Sequence, residues 1–101
     1  MTGVTTTVDG CMIVFCHGAG DDNLPGAFSA SPGSPNTRYS GTTTLGNDGD
    51  IVGGDYLKTT AGATGNITAT RGAPETQANI VLALLPTASG GTPQPIILFI
   101  G

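Results

Sequence analysis

The chain has 101 residues, a hydrophobic fraction of 38%, only 10% charged residues and a formal net charge of −4. That length suits one domain that buries roughly 60–70% of the surface its unfolded chain exposes, and apolar runs such as Cys11–Cys16 and Ile80–Leu85 exclude a disordered chain because they need burial. Its three cations, Arg38, Lys58 and Arg71, are scattered, whereas phosphate backbones and anionic membranes select clustered Lys or Arg, so neither nucleic acid nor membrane is an expected partner.

Gly (17) and Pro (7) punctuate the chain so evenly that no helical period develops. Short apolar or alternating runs lie between them. They predict an all-β fold, a jelly-roll-like antiparallel β-sandwich of about seven to eight short strands in a single domain, 1–101.

A first strand is expected over Thr2–Val8, with Asp9-Gly10 as a tight hairpin turn into a second, Cys11–His17. This second run is apolar at every position up to Cys16, which predicts a central strand covered on both faces. Cys11 and Cys16 point to opposite faces and lie roughly 16 Å apart along it, too far for a disulfide. Residues 18–35 read as loop, with a brief edge strand at Ala27–Ser29. Thr37–Leu45 reads as a strand with Tyr39 as a half-buried anchor, and Gly46–Asp50 as a turn.

Ile51–Thr59 resumes as a strand, and its Gly53-Gly54 pair marks a bulge or a close backbone approach. Asn66–Arg71 alternates Ile67 and Ala69 with polar residues, the pattern of a further strand. Gln77–Leu85 is the second apolar strand, stopped by Pro86. Residues 87–95 read as a linker to a terminal apolar strand, 96–100. Ile96, Ile97, Leu98, Phe99 and Ile100 must be buried, because such a run left in water aggregates. They pair either within the chain or with a neighbour, and are the candidate assembly interface.

No catalytic set emerges. A triad needs a nucleophile, a histidine and an orienting acid converging, and the chain has one histidine, His17, near Asp21 and Asp22, with no Gly-x-Ser-x-Gly elbow. An enzyme is not expected, nor a cofactor or small-molecule substrate. Asn47, Asp48 and Asp50 offer oxygen ligands of the type Ca²⁺ uses, but the spacing of a calcium loop is missing and turn chemistry accounts for them. Zinc spacing and phosphate-binding glycine loops are absent from the sequence. The opening residues, Met1–Thr6, have neither the basic nor the apolar region of a secretory leader.

Val8-Asp9-Gly10-Cys11-Met12-Ile13-Val14-Phe15, then Ser31-Pro32-Gly33, Asp55-Tyr56-Leu57-Lys58-Thr59-Thr60-Ala61, Gly65-Asn66-Ile67-Thr68-Ala69-Thr70 and Ala78–Leu85 follow one another in an order that resembles a β-sandwich structural module of bacteriophage virion proteins. The chain departs from that pattern in having no Gly-Trp after the proline loop, and in its apolar tail. The resemblance implies a structural role on a capsid, tail or fibre and supplies no catalytic residues. The expected function is capsid decoration at the virion surface, with the chain itself, a major capsid protein or a tail protein as partner. The alternatives are a tail or fibre module and an extracellular filament subunit assembled by strand donation. A surface of Thr, Ser, Gly and Asn with a single Lys and a single Glu suits such packing, although Thr enrichment also follows simply from strand preference.

Overall fold

The computed structural model describes residues 1–87 and the short strand Phe99–Ile100. It is all-β: β1 (Thr5–Thr6), β2 (Cys11–Ala19), β3 (Asn36–Thr43), β4 (Gly49–Lys58), β5 (Gly62–Ala63), β6 (Gln77–Leu84) and β7 (Phe99–Ile100). Five strands form one antiparallel sheet in the order β3-β4-β2-β6-β7, and β1 pairs with β5 in a separate two-stranded ladder. The arrangement is sandwich-like, with the second layer made mostly of irregular chain.

Period-two alternation decides which side chains enter the core. On β2, Cys11, Ile13, Phe15 and His17 point inward and are buried. In register beside them come Lys58, Tyr56, Gly54 and Val52 of β4, and Ala83, Val81 and Asn79 of β6. Ile67 closes the core from the opposite layer, with Met1, Val4, Phe28 and Ala30 packed around it. Gly54 is required here. A Cβ on it would stand 2.4 Å from Phe15 Cζ and 2.4 Å from the Asn36 carbonyl oxygen, so the close approach expected of the Gly53-Gly54 pair falls on the inward glycine.

The covering layer is knit by backbone hydrogen bonds between distant segments. Thr64 N donates to Val4 O (2.8 Å), Ile67 N to Met1 O (3.0 Å) and Gly26 N to Thr70 O (2.8 Å), while Ser29 and Thr68 exchange a pair of 2.8 and 2.9 Å. These bonds satisfy groups that burial would otherwise strand.

Four expectations need correction. The strand expected at Thr2–Val8 shrinks to Thr5–Thr6, and Asp9-Gly10 forms a turn (Gly10 φ 76°) but not a hairpin, because β1 pairs with β5 while β2 pairs with β4 and β6. Asn66–Arg71 is not a strand, since its ladder is a single bridge from Thr68 to Ser29. Tyr39 is 61% exposed. A β-bulge interrupts the β3–β4 ladder between Thr37 and Tyr39, and the Tyr39 hydroxyl lies over Gly41 on the surface. Finally, β2 is central, but its second face, carrying Met12, Val14 and Cys16, is exposed or half-buried.

Candidate functional site

Two features stand out against the core: a buried ionic cluster inside it, and an apolar face on the far side of the sheet.

The cluster gathers residues distant in sequence. Asp50 enters from β4 with a fully buried side chain, and Arg71, its side chain 7% exposed, reaches in from the covering layer. Arg71 Nη2 donates to Asp50 Oδ2 at 2.5 Å and to His17 Nε2 at 3.0 Å, while Nη1 donates to Asn23 O at 2.9 Å and to Asp21 Oδ2 at 3.3 Å. A guanidinium has only donors, so His17 Nε2 must accept. That places the ring proton on Nδ1, which donates to Asn79 Oδ1 at 2.6 Å. Asp50 holds the Arg71 guanidinium above the usual arginine range. The Asn23 backbone N–H, its side-chain amide and Arg71 hold the Asp21 carboxyl below the usual range.

The cluster borders a cavity of about 160 Å³ lined by His17, Phe28, Ile67, Arg71, Gln77 and Asn79. Both nitrogens of His17 are committed, to Arg71 and to Asn79. Among the described residues no Ser, Thr or Cys side chain hydrogen-bonds to it. What this arrangement can do is hold: it ties β2, β4 and β6 to the 21–23 and 71 segments of the covering layer. One atom is left over, because Asp50 Oδ1 is buried without a hydrogen-bond partner among the described residues and lies 3.8 Å from His17 Nε2.

The outer face is the opposite in character. Register places Met12 between Leu57 and Leu84, Val14 between Asp55 and Leu82, Cys16 between Gly53 and Ile80, and Gly18 between Ile51 and Ala78. Met12, Ile51, Leu57 and Ile80 are 39–54% exposed. Val14, Cys16, Leu82 and Leu84 are half-buried. The charges at its margin cancel: Arg38 grips Asp55 through Nε and Nη2 at 2.9–3.1 Å, which lowers the Asp55 pKa and raises that of Arg38.

The residues singled out in the sequence are dispersed. Asp50 turns inward onto Arg71, whereas Asn47 and Asp48 are exposed in the turn before it. Among the described residues no three His, Cys, Asp or Glu side chains group closely enough to hold a metal. Cys11 and Cys16 are unbridged, the first buried and the second half-buried on the other face. Phe99 and Ile100 lie in β7, paired with Ala83 and Leu82 of the same chain. Ile96, Ile97, Leu98 and residues 88–95 of the expected linker lie outside the described residues. Arg71 and the outer face were the features that sequence reading missed. Comparison with protein-family models, with curated proteins and with solved structures finds no match to the chain.

Proposed function

We propose that the chain is a non-enzymatic structural subunit that packs on a particle surface through the outer face of its five-stranded sheet, in the manner of a capsid decoration protein. The observation that carries this reading is the contiguity of Met12, Val14, Cys16, Leu57, Ile80, Leu82 and Leu84 on one side of three adjacent strands. Single exposed apolar residues are ordinary on a protein surface, but a contiguous patch of this kind marks an interaction site. The three strands that carry it, over some eight residues' length, project roughly 14 × 26 Å, about 370 Å². That is about half of one partner's share, about 800 Å², in a standard interface, and of the size of the largest apolar patches that mark contact sites on single subunits.

The face carries no net charge, so two copies meet across it without like-charge repulsion, and the subunit's own symmetry mate is the first partner. Strand donation to a filament has less support, because Thr5–Thr6 pairs with Gly62–Ala63 and Phe99–Ile100 pairs with β6 within the chain. The test is solution mass against concentration for the wild type and for Leu57→Asp/Ile80→Asp. Concentration-dependent association lost in the variant, at unchanged melting temperature, is the expected result. Association that survives both charges refutes the face as the contact.

A further inference from the structure

The chain carries seven acidic side chains and three basic ones, and all ten lie among the described residues. Arg38 is paired with Asp55, and Arg71 with Asp21 and Asp50. Lys58 is different. It is 6% exposed, inward-facing at the end of β4, and none of the seven side-chain carboxylates comes within the 4.0 Å of an ion pair. Asp9, beside Gly10, whose N–H bonds to the Lys58 carbonyl at 3.0 Å, accepts from the backbone N–H of Ala61 at 2.7 Å. The Lys58 ammonium has three N–H donors and one protein acceptor among the described residues, the Thr60 carbonyl at 2.5 Å. The ammonium sits in a partly buried hydrogen bond with no counter-charge beside it, and an anion placed against it adds a charge-assisted hydrogen bond.

Space for one lies alongside. A cavity of about 130 Å³ is lined by Lys58, Thr59, Thr60, Leu57, Pro32 and Gly33. That holds a few atoms, since water occupies about 30 Å³ per molecule. Lys58 brings a single positive charge, and Pro32 brings an apolar wall. A doubly charged phosphate or sulfate would be under-neutralised by one cation. A monoanion with a short apolar stub matches the one cation and the Pro32 wall. We infer that this pocket is a carboxylate-binding site with Lys58 as its anchoring cation. The carboxylate is supplied either by a small free acid or by an acidic side chain of a neighbouring subunit.

Sodium acetate is the probe, against sodium chloride at equal ionic strength. At about ten times its dissociation constant acetate should raise the melting temperature by roughly 5–10 °C, an effect that chloride does not reproduce and that Lys58→Met abolishes. In amide spectra of the wild-type chain, acetate should move Gly33, Thr59 and Thr60. These shifts decide the matter should the variant fail to fold. If acetate also reduces the solution mass of the associated protein, the natural occupant is a neighbour's carboxylate; an unchanged mass assigns a free acid. An equal response in Lys58→Met, or amide shifts that do not localise to this pocket, overturns the inference.

Discussion

Replacing Arg71 by Met should be the most damaging single change to the polar interior. The substitution keeps much of the side chain's apolar stem and removes its five donors. Asp50, whose side chain is fully buried, would lose its 2.5 Å partner, and its other oxygen already has none among the described residues. Removing one member of a buried ion pair costs about 3–5 kcal/mol, because a charge is left stranded. The contacts to Asn23 O and to the less buried Asp21 add less. Against a total stability of about 5–15 kcal/mol for a domain, that loss is large. It corresponds to a fall in melting temperature of roughly 12 °C or more. Urea denaturation of the wild type, Arg71→Met, Asp50→Leu and the double variant forms the cycle that isolates the pair. The double variant should recover at least half of the loss, since an apolar pair has no charge to strand. A cost below about 1 kcal/mol for Arg71→Met, or no recovery in the double variant, would refute the claim that this pair is desolvated.

Two further outcomes follow from the geometry. Gly54→Ala drives a methyl group against Phe15 and the Asn36 carbonyl, and should cost about 1–3 kcal/mol by overpacking; a neutral result in thermal melts would mean that β3 and Phe15 yield freely. Asp21 and Asp55 have pKa values lowered in the folded chain, by Asn23 and by Arg38 respectively. Their contribution is therefore fully present above the unfolded carboxylate range, about pH 4, and is lost as the pH falls through the folded values. Melting temperature should drop below about pH 4, less steeply in Asp55→Asn. Because Arg38 is 64% exposed, high salt should blunt that difference, and an unaltered acid profile in Asp55→Asn would contradict the Arg38–Asp55 assignment.

Much of the sheet is legible in the sequence because apolar runs and breakers are local signals. β2, β4 and β6 sit within a few residues of where Cys11–His17, Ile51–Thr59 and Gln77–Leu85 place them. Pairing is not local. Asp9-Gly10 specifies a turn, but which strand lies beside β2 is set by the fit of inward residues across the sheet. The run Cys11–Cys16 is apolar at every position, so alternation is silent there and cannot tell the buried face from the exposed one. Ile67 and Ala69 alternate as a strand would. Yet Ile67 is a core plug in an irregular layer, held by the Met1 carbonyl and the Ser29–Thr68 bridge. The ionic cluster joins His17, Asp50 and Arg71 across gaps of 54 and 21 residues. The one sequence signal for it is economy of charge: in a chain with three cations, Arg71 and Lys58 both take buried positions.

The central claim is that the outer sheet face is a contact surface between subunits. Light scattering after gel filtration, run on the wild type and on Leu57→Asp/Ile80→Asp over a wide concentration range, tests it most directly. A discrete wild-type oligomer that becomes a monomer in the variant, with its melting temperature retained, is the predicted result. A wild type that stays monomeric at every concentration, or a variant that associates as the wild type does, would contradict it.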